Sequence, residues 1–348
     1  MQTFLVSLIV FGIIIFVHEF GHFILAKLSG IRVEEFSLGM GPQVVGHKKG
    51  ETLYSLRALP LGGFCKMTGE MMVDDDAPPD PRNFNEKSLW ARMAVVVSGS
   101  LMNFLLGAMI FALMFSVIGV PKDYANFVGD VLPGSAAEIV GIQANDEILS
   151  INGKPLKSWS EITGIIHHST EEKLEVELKR NQQIFKVTVI PQYDPERQVG
   201  LIGIVPRDPL WERMGLFAGI GKGFTQTYEL TVGMLQQLGL LISGQVSADG
   251  VTGPVGIIQL IGESARFGWV NVAYLTALIS INLGLINLLP IPALDGGRLF
   301  FLLIEAVRGG KKVKPEKENL IHFLGFALLM ALMLFITYKD ILRLFTGF

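Results

Sequence analysis

The chain has 348 residues, of which 50% are hydrophobic and only 18% are charged, and its mean hydropathy is +0.45. This composition is too apolar for an ordinary soluble enzyme, and a formal net charge of −3 offers no basic field for nucleic acid. The single cysteine, Cys65, excludes an intrachain disulfide and a cysteine-rich zinc site. We therefore expect a membrane protein that does not bind nucleic acid.

Four apolar segments are long enough to cross about 30 Å of hydrocarbon as helices. The first, about residues 3–26, has no Lys or Arg before it and no small-residue cleavage site after it, so we interpret it as a retained span rather than a signal peptide. The others are about residues 93–119, 272–304 and 320–338. Prolines and glycines interrupt the 272–304 segment, and such irregular backbone must be buried in protein or line a cavity.

The remaining segments predict the domain organisation. Residues 121–207 contain alternating strand-like runs and are expected to form a soluble domain, whereas polar residues at helical spacing in 208–270 indicate an amphipathic helix and a connector. Residues 1–120 and 271–348 then form the two halves of a membrane core. The sequence predicts a polytopic α-helical membrane protein with four transmembrane helices, an inserted α/β domain and a small cytoplasmic β-hairpin region at 43–67.

The distribution of Lys and Arg predicts the orientation. These residues are concentrated between residues 32 and 92 and between residues 308 and 317, in the two links expected to be cytoplasmic. Four spans then put the N-terminus, the 121–207 domain and the C-terminus on the opposite face. We expect a multi-pass protein of the cell inner (plasma) membrane, with the lipid bilayer as its surroundings.

The strongest chemical signal is HEFGH, residues 18–22, within the first span. Residues at i and i+4 share a helix face, so His18 and His22 can bind one zinc ion while Glu19 lies beside it as a candidate general base. Ionisable groups inside a span are unfavourable by about 2.5 to 3.5 kcal/mol each and usually mark a functional interior. Since His18 lies towards the Lys27 end of the span, the metal is expected near the cytoplasmic leaflet.

A catalytic zinc normally has three protein ligands and an open position for water, so a third ligand is needed. Asp295 is the first candidate, because it follows the proline-rich break in NLLPIPALDGG, residues 287–297, where glycines let the backbone approach closely. Its alternative role is to cap a helix that begins at Gly296. Glu305 and His322 are rival ligands by residue type, although Glu305 is expected at the interface and His322 is expected to be structural.

These motifs resemble the site-2 protease family of intramembrane zinc metalloproteases, of the RseP/RasP type. The resemblance extends over nearly the whole chain, through HEFGH at 18–22, EFSLGMGP at 35–42, LGGFCKM at 61–67 and NLLPIPALDGG at 287–297. It implies that His18, His22 and Asp295 bind zinc and that Glu19 is the general base. It also implies that Asn287 positions substrate or stabilises the intermediate; further candidate substrate-binding residues are Pro292, Gly63 and Phe64.

The soluble domain looks like a PDZ domain, on the basis of residues 131–156. In a circularly permuted form the peptide-binding strand comes last, at 199–204, and the candidate groove residues are Gly200, Leu201, Ile202 and Gly203. A PDZ groove binds an extended peptide as an added strand. The alternative is a packing domain that only restricts access to the membrane site.

The resemblance also implies the substrates: single-span membrane regulators, such as anti-sigma factors, already shortened by another protease. We expect an exposed edge within 43–67 to hold the unwound substrate by strand addition, or else a re-entrant loop that only shapes the cavity. The alternative function is a zinc-dependent membrane transporter or a PDZ scaffold, neither of which needs Glu19 for hydrolysis.

Overall fold

The computed structural model describes residues 2–70, 80–170, 172–194, 199–207, 209–246 and 252–346. The chain divides into two compact units. The first, here called the membrane unit, contains Met1–Met114 and Leu216–Phe348; the second, the inserted domain, contains Phe115–Gly215.

The described residues form nine α-helices, one short 3-10 helix at Phe84–Glu86 and twelve strands. The helices are α1 (Gln2–Leu28), α2 (Leu89–Val117), α3 (Ala136–Ile139), α4 (Trp159–His168), α5 (Leu216–Ile242), α6 (Pro254–Arg266), α7 (Trp269–Leu288), α8 (Asp295–Val307) and α9 (Pro315–Thr346). The strands are β1 (Val33–Lys49), β2 (Thr52–Met67), β3 (Val120–Tyr124), β4 (Val128–Val131), β5 (Glu147–Ile151), β6 (Lys154–Pro155), β7 (Leu174–Arg180), β8 (Gln183–Val189), β9 (Gln192–Asp194), β10 (Val199–Leu201), β11 (Ile204–Pro206) and β12 (Pro209–Glu212).

Four of the described helices are long and apolar enough to cross a membrane. They are α1, α2, α7 and the Glu316–Arg343 part of α9. A helix of 20 residues spans about 30 Å, so even α7, the shortest of the four, can cross the hydrocarbon. The chain is therefore a polytopic helical membrane protein.

The predicted span at 272–304 consists of two helices separated by a turn. Helix α7 ends at Leu288, and Leu289 is extended, with φ −65° and ψ 144°, as expected for a residue before proline. The chain resumes as a helix at Asp295. Pro290 thus ends α7, and the intervening turn carries the chain directly to Asp295.

Close helix contacts hold the membrane unit together. A Cβ atom on Gly21 of α1 would collide with the carbonyl oxygen of Ser98 on α2. The two helix backbones can approach this closely because Gly21 has no side chain. Gly223 of α5 meets α2 in the same way, at Ala108 and Ala112. Small residues at such crossings are typical of helices packed within a membrane.

Strands β1 and β2 form an antiparallel hairpin with several register shifts. Residues 43–49 pair with 52–57, whereas residues 35–38 pair on one side with 53–56 and on the other with 63–66. The sheet begins at Val33, upstream of the 43–67 range predicted for the hairpin. Residues 63–66 are consequently its outer strand, and no other described strand pairs with their free edge.

The inserted domain is built on a four-stranded sheet in the order β6-β5-β7-β8. Shorter pairs join β10 to β9, β11 to β4 and β12 to β3. Alternate residues of β7 point inwards, so Leu174, Val176 and Leu178 are fully buried and pack with Ile162 and Ile166 of α4. The domain therefore has a hydrophobic core of its own.

Candidate metal centre and active site

His18 and His22 lie one helical turn apart on α1, and both imidazoles are buried. Their Nε2 atoms are 3.3 Å apart, and the rings are nearly perpendicular at 82°. The Nδ1 atom of His22 lies 2.8 Å from the carbonyl oxygen of Val95, an acceptor, so Nδ1 carries the proton. The lone pair of its Nε2 therefore points into the space between the two rings.

Asp295, the first residue of α8, brings a carboxylate to the same point. Its Oδ2 atom lies 3.2 Å from Nε2 of His18 and 3.3 Å from Nε2 of His22, yet it accepts no hydrogen bond from the described residues. The preceding residue, Leu294, occupies the N-cap position, and no side chain caps this helix. The carboxylate is thus directed at the histidines rather than engaged in capping.

These three side chains fit a zinc ion. Their ligating atoms lie within 4.8 Å of one another, and the three separations of 3.2, 3.3 and 3.3 Å match the edge of a ligand tetrahedron with bonds of about 2.0 Å, which is about 3.3 Å. Two nitrogen lone pairs and a carboxylate oxygen repel one another unless a cation lies between them. Two histidines and one carboxylate are a common ligand set of catalytic zinc.

Helix α2 provides two features of this centre that the sequence analysis missed. Gly99 lies against the rings, and a Cβ atom there would overlap Nε2 of His22 and come within 2.8 Å of Cε1 of His18. The fully buried Asn103 has its amide 3.3 Å from Nδ1 of His18, and its Oδ1 has no hydrogen-bond partner among the described residues. The atom that faces Nδ1 is the side-chain nitrogen; with the amide nitrogen and oxygen exchanged, Oδ1 would accept a hydrogen bond from Nδ1–H and leave Nε2 free for a metal.

Glu19 lies between the histidines and the outer strand of the hairpin. A Cβ atom on Gly63 would lie 3.1 Å from Cγ of Glu19, and the backbone N–H of Cys65 faces the Glu19 carboxylate. Burial raises the pKa of the Cys65 thiol to about 12, and the Glu19 charge adds to the rise. Cys65 is therefore a neutral thiol at neutral pH and a poor nucleophile.

The rival ligands lie elsewhere among the described residues. The Glu305 carboxylate accepts two hydrogen bonds from Arg92, and Nδ1 of His322 accepts one from the backbone N–H of Ala293. Of the three candidates for the third ligand, the structure brings only Asp295 to His18 and His22.

The candidate substrate residues lie on α7, in the turn before α8 and on the outer strand of the hairpin. Asn287 is half-buried in the last turn of α7, and Pro292, in the turn before α8, packs against Gly325 of α9. Phe64 stacks on the guanidinium of Arg57 at 5.0 Å, with its backbone paired to Ser37. Gly63 is the one of these four that directly approaches Glu19.

The inserted domain has a separate cavity of about 180 Å³ between α4 and residues 201–205. Leu201, Ile202 and Gly203 contribute to its wall, together with Thr163 and His167 of α4. Gly200 does not, because its backbone packs against the carbonyl oxygen of Ile166, where a Cβ atom would lie at 2.7 Å. The lining is mainly apolar.

Fold and site together define an integral membrane protein with the ligand set and neighbouring carboxylate of a zinc metallopeptidase. Residues 6–332 match the model of the Peptidase family M50. The zinc metalloprotease RasP of Geobacillus kaustophilus is 34% identical, over 99% of this chain and 99% of the relative, and the regulator of sigma-W protease RasP of Bacillus subtilis is 32% identical over the same shares. The chain belongs to peptidase family M50, the site-2 zinc metalloproteases.

Among solved structures, the PDZ domain of an SdrC-like protein from Listeria monocytogenes is 23% identical. The match covers 25% of this chain and 90% of that one, with a TM-score of 0.22.

Proposed function

We propose that this zinc metalloprotease hydrolyses peptide bonds within or beside the transmembrane segment of other membrane proteins, with His18, His22 and Asp295 as zinc ligands and Glu19 as the general base. The observation that carries the proposal is the set of three ligating atoms separated by 3.2 to 3.3 Å, next to the half-buried Glu19 on the same helix. Two of the ligands and the base lie on a helix that is apolar enough to cross the bilayer.

A bound zinc ion supplies a Lewis acid that lowers the pKa of water to about 7 and polarises a carbonyl group. The Glu19 carboxylate takes a proton from the attacking water and returns it to the leaving amine. Asn103 and the Val95 carbonyl hold the two imidazoles in the tautomer that leaves Nε2 free. Asn287, which lies near the end of α7, is the residue assigned here to contact the substrate backbone.

A helical substrate hides its peptide bonds, so it must unwind before cleavage. The outer strand of the hairpin, residues 63–66, can receive the unwound segment. The N–H groups of Cys65 and Met67 both point to its free edge, since one faces the Glu19 carboxylate and the other lies 3.4 Å from Oε2 of Glu70. A substrate segment that pairs with this edge runs directly past Glu19. Gly63 and Phe64 of the hairpin then contact the segment on one side, and Pro292, in the turn before α8, contacts it on the other.

The substrates that this arrangement suits are single-span membrane proteins. The name of the Bacillus subtilis relative describes a regulator of sigma-W, and anti-sigma factors shortened by an earlier protease are the corresponding substrate class for this chain. The inserted domain acts as a PDZ-like module whose cavity receives an apolar residue at the C-terminus that the earlier protease creates on the substrate. Its alternative role is to limit the access of larger proteins to the active site.

The distribution of Lys and Arg supports an orientation in the inner membrane. Residues 29–88 carry seven Lys or Arg residues and the short link before α9 carries four, so both segments belong on the cytoplasmic side and the metal centre lies near that face. The inserted domain then lies on the extracytoplasmic side.

The test compares the wild type with Glu19→Gln, purified in detergent at matched zinc content, on a model single-span substrate. Product from the wild type alone supports the proposal. Equal product from both proteins rejects Glu19 as the base. Bound zinc with no hydrolysis by either protein, across substrates with and without an extracytoplasmic domain, favours the transporter or scaffold function.

A further inference from the structure

The turn before Asp295 contains a strained residue. Ala293 has φ +77°, in the left-handed region that residues with a Cβ atom rarely adopt. The other non-glycine residues with positive φ in the described chain are three Asn and one Gln, whereas Ala293 has no side chain that could hydrogen-bond locally. Because Ala293 is two residues before Asp295, its conformation sets the direction in which the carboxylate enters the site.

Helix α9 contacts this turn at two successive points. Nδ1 of His322 accepts a hydrogen bond of 2.9 Å from the backbone N–H of Ala293. Three residues later, on the same face of α9, Gly325 lies so close to Pro292 that a Cβ atom there would be 2.8 Å from the proline carbonyl oxygen. The Phe301 ring of α8 packs against the His322 imidazole, with centroids 5.5 Å apart.

The bond to Ala293 determines the state of His322. An imidazole nitrogen that accepts an N–H must carry a lone pair, so the proton is on Nε2 and the ring is neutral. Nε2 is buried and has no hydrogen-bond partner among the described residues; the nearest carboxylate, Glu318, is 3.9 Å away. The imidazole therefore makes one specific polar contact, and that contact is with the strained turn.

We propose that His322 is a positioning residue for the metal centre: it stabilises the left-handed conformation of Ala293 and thereby holds Asp295 in the direction that binds zinc. The proposal rests on the proposed role of Asp295 as a zinc ligand. Irregular backbone at membrane depth needs a protein partner for its N–H groups, and α9 supplies that partner here.

The test measures zinc retention rather than activity, as the concentration of a chelator that removes half of the zinc from the full chain in detergent. His322→Leu removes the acceptor at similar size and should lower this concentration about tenfold, the usual effect of losing a group that orients a metal ligand. His322→Asn places its Oδ1 close to the position of Nδ1 and should restore retention to within about threefold of the wild type. Phe323→Leu, at the neighbouring exposed position, is the control and should change nothing.

A second substitution separates positioning from general damage. Ala293→Gly removes the strain, because glycine adopts positive φ without a steric penalty. In that background His322→Leu should change zinc retention by less than about twofold. An equal loss in both backgrounds, no loss with His322→Leu, or no restoration by His322→Asn would overturn the inference.

Asp295→Ala, measured in parallel, tests the proposed function by itself. Loss of zinc in Asp295→Ala together with unchanged retention in His322→Leu leaves Asp295 as a ligand and rejects the role of His322. Full retention in Asp295→Ala rejects the ligand assignment, and this inference with it.

Discussion

Both carboxylate oxygens of Glu305 accept hydrogen bonds from the guanidinium of Arg92, at 2.9 and 2.5 Å, although 213 residues separate them. Both side chains are buried. The pair joins the first turn of α2 to α8, the helices that carry Gly99 and Asp295, so it connects the two halves of the membrane unit.

We expect Arg92→Met or Glu305→Leu alone to lower the free energy of unfolding by about 3 to 5 kcal/mol, since each leaves a buried charge without a partner. The double variant should be more stable than either single variant, because no unpaired charge remains. Denaturant unfolding of the purified protein in detergent measures this coupling. If the loss of unfolding free energy in the double variant equals the sum of the two single losses, Arg92 and Glu305 have no coupling energy.

Gly99 should be essential for zinc binding because any side chain there overlaps the two imidazoles. We expect Gly99→Ala to reduce zinc retention at least about tenfold, with matching loss of proteolysis. Gly12→Ala on α1 is the matched control, since a Cβ atom at Gly12 has no neighbour within 4 Å. Metal analysis of the two variants after dialysis makes the comparison, and equal zinc contents would contradict the close packing of α2 on the histidines.

Proline at position 64 tests strand addition to the hairpin. Phe64→Pro removes the backbone N–H on the side paired with Ser37 and should release the outer strand. A released strand would lose one or two main-chain hydrogen bonds to the substrate. We therefore expect kcat/KM of Phe64→Pro to fall roughly tenfold while its zinc content stays unchanged.

Phe64→Ala keeps that N–H and serves as the control for the lost ring, including its stacking on Arg57. Cleavage that falls equally in both variants would assign the effect to the side chain and would argue against strand addition.

The cavity of the inserted domain makes a prediction about peptide binding. Thr163→Phe places a ring in the cavity of about 180 Å³ and should weaken binding of a peptide that ends in an apolar residue by roughly tenfold or more. Ile184→Phe, at an exposed position of β8 outside the cavity, is the control. Fluorescence anisotropy with the full chain measures both, and absence of binding even by the wild type would favour the access-restricting role.

The sequence predicted the parts of this site that follow from local geometry. Helical spacing is enough to bring His18 and His22 to one face, and the proline and glycine pattern around Asp295 predicts the break between α7 and α8. Hydropathy alone predicted the four candidate spans, although the 272–304 segment extended past Leu288, where the spanning helix α7 ends. Each of these features depends on residues that are close together in the chain.

The remaining features depend on contacts between distant segments. Nothing local predicts that residues 35–38 pair with both 53–56 and 63–66, because register is set by neighbours that the hydrophobic pattern does not identify. Gly99 looks like any small residue at a helix crossing. Asn103 carried a usable signal, since a side-chain amide inside an apolar span usually has a partner there.

The lone thiol has a practical consequence. Cys65 is buried, and with a pKa near 12 it is almost entirely un-ionised at neutral pH, so maleimide and iodoacetamide reagents should leave it unlabelled. The native chain therefore has no thiol that would react with a cysteine-directed spectroscopic label. A cysteine introduced at Leu328, which is 71% exposed on α9, can carry a spin label or fluorophore without removal of any natural residue near the metal.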